Sequence, residues 1–489
     1  MAVHREISTP QGVLRGVESG GVFTLLGVRY GDDTAGANRF RAPRLPRAWD
    51  GVRDAVIFGP SAPQIDNRDR LGRLMHPRNG SPLEGGPTSE DCLRLNIWAP
   101  AARTGEELPV LVWLHGGGYL AGSGNEMWFN GDVLAATEEV VIVTVTHRLG
   151  ILGFLDLRAE GLPDSAHAGM LDIVMALQWV RDNISSVGGD PSRVTIAGQS
   201  GGGAKVAALC AMPAATDLFA RAIMMSGPFP RVLPQTAASE FRDRVVGAAE
   251  GGVASLLDVP VDDLIHLQAD ALAAAGLSFG PESMESSGGI GPTLDAVHLP
   301  EHPFWPVATP RFTGKQLLIG WTTHEVGSLF AADPRFTVDL TADEAIARLT
   351  ELGVPRAEAA FTTTATEVLD ERPHLVFARV LSSMLFEGPA RDLASIAATV
   401  ADSVWAYEFR EMSDVLDGLV GSCHSLDIPY VFGTVERIPL VGVNPYRATL
   451  SREMSRAWVR FATVGIPEAD TEWLPWNDDE RFVHAFACP

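Results

Sequence analysis

The chain has 489 residues, of which 46% are apolar and 20% charged, a balance that fits a large core and excludes a disordered chain. Its 61 acidic and 38 basic residues leave a formal charge of -23, which repels phosphate backbones and anionic lipid, so neither nucleic acid nor membrane is an expected partner. No apolar run reaches the roughly 20 residues of a membrane span, the first ten residues lack a signal-peptide core, and the four cysteines (Cys92, Cys210, Cys423 and Cys488) form neither a CxxC pair nor a disulfide framework; the expectation is a cytoplasmic protein with free thiols.

The composition stays even along the chain, so residues 1–489 are expected to form one unit. Residues 61–88, rich in Pro, Gly, Asn and Arg, read as a long surface loop. Residues 109–114 (PVLVWL) and 140–146 (VVIVTVT) read as buried strands, since neither shows polar alternation. The first is followed by His115-Gly116-Gly117-Gly118, a glycine run whose bare amides can point into a pocket. A phosphate-cradling loop would need a G-K-[ST] sequence that is absent.

Residues 171–184 have helical spacing and stop before Gly188-Gly189-Asp190-Pro191. Residues 194–197 (VTIA) read as a strand and 202–210 as a small-residue helix. Between them Gly198-Gln199-Ser200-Gly201-Gly202 holds a G-x-S-x-G sequence. The spacing has a steric cause: a serine on a sharp strand-to-helix turn brings the residues two before and two after it together, so both must be very small. The turn lifts the hydroxyl and leaves the Gly201 amide and a helix N-terminus facing the reaction centre. Ser200 is the candidate nucleophile, and amides of the glycine run with that of Gly201 are candidate oxyanion donors.

Beyond the elbow, residues 235–291 and 338–395 read as helical excursions that wall a pocket, with residues 316–319 (QLLI) as a strand between them. Strand–helix alternation predicts a large, mainly parallel sheet flanked by helices, the α/β-hydrolase architecture. In that architecture the acid and base follow the serine. His266, His298, His302, His324, His374, His424 and His484 are the possible bases. His424, in Gly421-Ser422-Cys423-His424-Ser425, has the small neighbours that let a loop imidazole reach a serine; His484 reads as structural, as does His115. For the acid, Glu325, just after the strand at 316–319, competes with Asp295.

These segments together resemble the type-B carboxylesterase family, which includes cholinesterases and bacterial para-nitrobenzyl esterases. The resemblance spans nearly the whole chain. It is carried by Glu90-Asp91-Cys92-Leu93-Arg94-Leu95-Asn96, by 198–202, by Arg148-Leu149-Gly150 with Gly153-Phe154-Leu155, by Trp179-Val180-Arg181-Asp182-Asn183-Ile184 with 188–191, and by Met225-Ser226-Gly227. It implies Ser200 as nucleophile, Glu325 as acid and His424 as base, with oxyanion amides from Gly117, Gly118 and Gly201. Ser226 matches a position that supports the acid, and Arg41 with Glu90 and Arg148 with Asp172 match structural ion pairs. No metal and no cofactor are implied.

The chain departs from the family in His324-Glu325-Val326 where Asp-Glu-Gly is usual, in Ser425 for Gly, Gly201 for Ala, and His147 for Tyr. No Cys precedes Cys92, which fits an intracellular bacterial-type member, and the aromatic choline-binding loop is missing between residues 61 and 90. The implied activity is hydrolysis of small carboxylic esters through an acyl-enzyme, by a monomer or homodimer, with activity falling in acid as His424 protonates. The same triad would serve a carbamate or amide hydrolase. A non-catalytic binding protein of the same fold is the remaining alternative, and the retention of all three triad residues speaks against it. Phe229, Trp305, Trp321, Phe330 and Phe386 are candidate pocket aromatics, although such residues are more often plain core.

Overall fold

The computed structural model describes residues 2–65, 87–102, 105–275, 287–368 and 372–488. The expected loop at 61–88 therefore lies mostly outside the described residues, as do 276–286 and 369–371 of the two helical excursions.

Runs of β-branched and aromatic residues form the strands β1 (Val3–Thr9), β2 (Gly12–Ser19), β3 (Val22–Arg29), β4 (Val52–Asp54), β5 (Arg94–Pro100), β6 (Leu108–Leu114), β7 (Val141–Thr146), β8 (Gly189–Gln199), β9 (Arg221–Met225), β10 (Gln316–Thr322), β11 (Ser403–Phe409) and β12 (His484–Phe486). They join in one sheet in the order β1-β2-β3-β5-β7-β6-β8-β9-β10-β11-β12, with β4 beside β2. From β7 to β12 every pairing is parallel, whereas β1, β2, β3, β5 and β7 pair antiparallel. This is the α/β-hydrolase fold anticipated from sequence, with an antiparallel N-terminal wing added.

The continuous apolar runs become central strands because both faces are covered. In β6, Val110, Val112 and Leu114 face one core, and Leu111 and Trp113 face another. Each such side chain contributes about 1.5–3 kcal/mol by leaving water. The helical excursions take shape as helices Gln235–Ala248 and Val261–Ala275, then Ala342–Glu351, Ala357–Val368, Pro373–Ser382 and Gly388–Ala398. Ala342–Glu351, Ala357–Val368 and Pro373–Ser382 enclose their own apolar cluster around Phe336, Leu349, Phe377 and Leu381, whereas Gly388–Ala398 packs on the main core.

Strand β8 begins five residues earlier than the 194–197 run suggests, because Gly189 pairs with Leu108 of β6 despite its turn-like sequence. One ion pair is also corrected. Glu90 is held by Arg39, not Arg41: two hydrogen bonds of 2.7 and 2.6 Å join their side chains, and Arg39 further donates to the carbonyls of Leu256 and Val259. Phe40 is buried in a left-handed turn at φ 62, which sends Arg39 inward and leaves Arg41 exposed on the carbonyl of Ala37. The expected Arg148–Asp172 pair forms, fully buried, at 2.6 Å. All four cysteines are free thiols. Among the described residues no helix is long and apolar enough to cross a membrane.

Candidate active site at the C-terminal edge of the sheet

Strands β6, β8, β9 and β10 are consecutive neighbours and parallel, so the segments that leave their C-terminal ends meet along one edge. Those segments carry the glycine run, Ser200, Ser226 and Glu325 in turn.

Ser200 sits between β8 and helix Gly201–Ala211 with φ 58 and ψ -125. A non-glycine residue there is strained, and such strain persists only where the surroundings impose it. Here the Ser200 amide donates to Met225 of β9, and Ser200's carbonyl accepts from Ala204. The glycines around it obey the steric reading: a Cβ on Gly198 would fall 2.5 Å from the carbonyl of Gly202, and one on Gly202 would fall 2.0 Å from the carbonyl oxygen of Leu114. Ser200 itself is half-buried.

His424 stands in a segment that runs beside the acid: His324 and Cys423 form a parallel bridge, and the His424 amide donates to the carbonyl of Glu325. His424 Nδ1 lies 2.5 Å from Glu325 Oε2. Glu325 is fully buried, and its Oε1 accepts from the Thr322 amide at 2.8 Å. Both carboxylate oxygens are thus engaged and the imidazole is fixed in one orientation. The rival acid, Asp295, is elsewhere; it lies 2.9 Å from His167 Nε2 and 3.5 Å from Arg158 and accepts from the amides of Val297 and His298, pinning a loop. His115 and His484 are buried, the latter stacked on Trp473, as their structural readings require.

His324 replaces the family's usual Asp without disturbing this. Its amide donates to the Ser422 carbonyl and its Nδ1 accepts from the Ser422 amide, so it ties the acid's turn to the His424 segment. Ser425 takes φ 71, which accounts for the glycine customary there. Ser226 is buried at φ 47 and donates its amide to Gly320 of β10; its hydroxyl makes no hydrogen bond among the described residues, so none joins it to Glu325.

Gly117 and Gly118 adopt φ 81 and 62. Gly201 packs directly on Gly118: a Cβ added to Gly201 would come within 2.5 Å of its amide nitrogen, α-carbon and carbonyl oxygen. The glycine run and the elbow therefore touch backbone to backbone. Ala is the residue customary in the family here and would keep the amide, but in this chain its Cβ would meet Gly118. We therefore expect Gly201→Ala to displace the glycine run and lower kcat on a para-nitrophenyl ester about 10-fold or more through misplaced oxyanion donors. A variant with wild-type kcat would mean that the loop relaxes at no cost.

Two residues of this region were not singled out from sequence. Gln199 Nε2 lies 3.2 Å from His424 Nε2; since Nδ1–H faces Glu325, Nε2 is the acceptor and the Gln199 amide the donor. Asp427, one turn beyond His424, is fully buried and accepts from Tyr407 Oη at 2.7 Å. A carboxylate beside the apolar run Ile428–Phe432 is the sequence signal that marks it. Burial pushes Asp427 up to about 7, with the Glu325 charge adding to the rise and the Tyr407 hydrogen bond opposing it. The folded chain therefore keeps a proton that the unfolded chain releases from about pH 4 upward, and stability falls as pH rises between these values. We expect the stability of Asp427→Asn relative to wild type to improve from pH 5 to pH 8, read as variant Tm minus wild-type Tm rising with pH; a constant difference would contradict it.

Of the candidate pocket aromatics, Phe229 and Trp305 line a cavity of about 460 Å³ together with Leu385 and Arg231. Phe386 packs its ring 5.3 Å from that of His424. Trp321 is fully buried core, and Phe330 packs on Phe336 and Phe377. Among the described residues no three His, Cys, Asp or Glu side chains gather as a metal site.

Comparison with known proteins agrees with this geometry. Residues 3–487 match the carboxylesterase family. The chain is 34% identical to the para-nitrobenzyl esterase of Bacillus subtilis, over 98% of this chain and 94% of that one. It is also 34% identical to the phenmedipham hydrolase of Pseudarthrobacter oxydans, over 97% and 93%. A solved para-nitrobenzyl esterase structure superposes with a TM-score of 0.81 at 31% identity, covering 99% of this chain and 96% of that one. An elbow serine, a carboxylate-bound imidazole and a glycine run at one sheet edge thus occur in a chain that belongs, over practically its full length, to the carboxylesterase family.

Proposed function

We propose that Ser200 is the nucleophile, His424 the general base and acid, and Glu325 the orienting carboxylate in the hydrolysis of small carboxylic esters. The observation that carries this reading is the 2.5 Å contact of His424 Nδ1 with buried Glu325, on an imidazole whose Nε2 lies 3.2 Å from Gln199, the residue before a serine held at φ 58. It leaves Nε2 as the proton acceptor, facing the Gln199 amide at the elbow.

In the proposed cycle the Ser200 hydroxyl takes the place of the Gln199 amide at Nε2 and attacks the ester carbonyl while its proton passes to Nε2. The new C–O bond leaves an oxyanion, which the amides of Gly117, Gly118 and Gly201 receive. His424 then gives the proton to the departing alkoxide as the ester C–O bond breaks. Water repeats the sequence on the acyl-enzyme and restores Ser200. Ser226 contributes by its backbone, tying the end of β9 to β10 just before Glu325. All of these residues lie in one chain, so a monomer or a homodimer would serve equally. The same reading takes residues 1–489 as one unit, and four free thiols support a reducing compartment such as the cytoplasm.

Fluorophosphonate labelling with peptide mapping, run beside para-nitrophenyl butyrate turnover, tests the reading. An adduct on Ser200 with matching loss of turnover is expected; turnover without such an adduct would refute it. Relative kcat/KM on matched ester, carbamate and anilide substrates then decides whether carbamate or amide hydrolysis outranks ester hydrolysis.

A further inference from the structure

Helix Gly201–Ala211 is buried at every residue, and its one charged side chain is Lys205. An ammonium at zero exposure is expensive unless something compensates it. Lys205 Nζ donates to the carbonyl of His115 at 2.9 Å. His115 is the single residue between the end of β6 and the first glycine of the run. Lys205 is also four residues beyond Gly201, one turn along the same helix face. A single side chain therefore grips the root of the loop bearing Gly117 and Gly118 and lies one turn from the Gly201 amide.

The groups that face it are few. From the glycine loop comes the Tyr119 ring, 5.7 Å from Nζ. From the ends of β6 and β7 come the His115 and His147 rings, stacked at 4.9 Å. Burial holds both imidazoles well below the usual range, and the Lys205 charge pushes the same way. The counter-charge is Glu126, whose oxygens accept from the Ser123 amide and Trp128 Nε1. Burial pushes Lys205 itself down to about 7, against the pull of Glu126.

Resting on the proposed Ser200 mechanism, we infer that Lys205 is a positioning residue for the reaction: it anchors the glycine loop through the His115 carbonyl and, while charged, sets a buried positive field beneath the forming oxyanion. The two effects separate with pH. A neutral amine still donates to His115, but the field is gone. Charge fixed in a water-poor site is worth far more than in solvent, and it acts on an oxyanion that exists only after attack. The benefit therefore falls on kcat rather than KM. The charged fraction drops as pH rises through the Lys205 pKa, so kcat/KM, which reports the free enzyme, gains an alkaline limb above about pH 7.

The test compares wild type with Lys205→Met and Lys205→Gln on para-nitrophenyl butyrate across pH, after thermal unfolding has shown the variants folded. We expect kcat to fall about 10–10²-fold with KM within about twofold, as when an oxyanion donor is lost. The alkaline limb should disappear in both variants while the acid limb stays. Wild-type kcat in the variants, an alkaline limb that survives them, or a wild-type kcat/KM that is flat above neutrality would each overturn the inference. Should Lys205→Met fail to fold, Lys205→Gln and the wild-type limb decide. Wild type that neither turns over esters nor labels at Ser200 would remove the underlying mechanism as well, an outcome distinct from active enzyme indifferent to residue 205.

Discussion

Ser200→Ala should lower kcat on para-nitrophenyl butyrate by at least about 10⁴-fold while leaving KM within a small factor, because removing a nucleophile from a triad abolishes a step that no neighbour supplies. The substitution deletes one oxygen, and Ala keeps the backbone that ties the elbow to Met225 and Ala204. The strained φ of 58 remains, so a modest stability change in either direction is compatible with the reading. The residual rate is informative: amides of Gly117, Gly118 and Gly201 should still favour attack by water, leaving a turnover above the uncatalysed reaction. A Ser200→Ala enzyme with more than about a tenth of wild-type kcat would mean that another group attacks the ester, and the role given to His424 would fall with it.

The elbow was legible in the sequence because sterics leave almost no choice at its flanks. Only a residue without a side chain fits where Gly198 meets Gly202 and where Gly202 meets Leu114, so the glycines announce the turn. The strands β6 and β7 were legible for a related reason: a strand covered on both faces has no polar alternation to obscure it. The antiparallel wing was harder to read, since β1 and β2 mix polar and apolar residues along partly exposed surfaces. Glycine, aspartate and proline at the start of β8 signal a turn, and only pairing with β6 turns that stretch into strand.

Long-range contacts were the least legible. Arg39 and Arg41 are two residues apart and chemically alike; the left-handed turn at Phe40, a tertiary outcome, decides which one reaches Glu90. Gln199 and His424 meet across 225 residues of chain. Residue pattern alone leaves Glu325 and Asp295 in competition as the acid, because each carboxylate sits in a loop near a histidine. The structure separates them by partner: His424 beside the elbow for one, His167 for the other.

Asp172→Ala should destabilise the fold by about 3–5 kcal/mol, the usual cost of leaving a buried charge without its partner. Arg148 is 1% exposed and Asp172 is not exposed at all. The carboxylate takes three hydrogen bonds from Arg148: from the backbone amide at 3.0 Å, from Nε at 2.8 Å and from Nη2 at 2.6 Å. Removing it strands a guanidinium whose other hydrogen bond among the described residues is a 3.3 Å bond to the carbonyl of Ala168. The consequence should extend to activity. Arg148 follows His147, which stacks on His115, and the Gly150 amide donates to the Tyr119 carbonyl at 2.7 Å. The loop that Asp172 anchors therefore braces the glycine run from behind, and kcat should fall along with Tm. Replacing both members, as Arg148→Met with Asp172→Leu, should recover a large part of the lost stability, because packed apolar groups substitute for a buried ion pair at little cost. Single and double variants compared by thermal and urea unfolding give the coupling directly. If Asp172→Ala unfolds with the wild-type midpoint, the guanidinium has found water or another acceptor, and the pair is not what holds this loop under the active site.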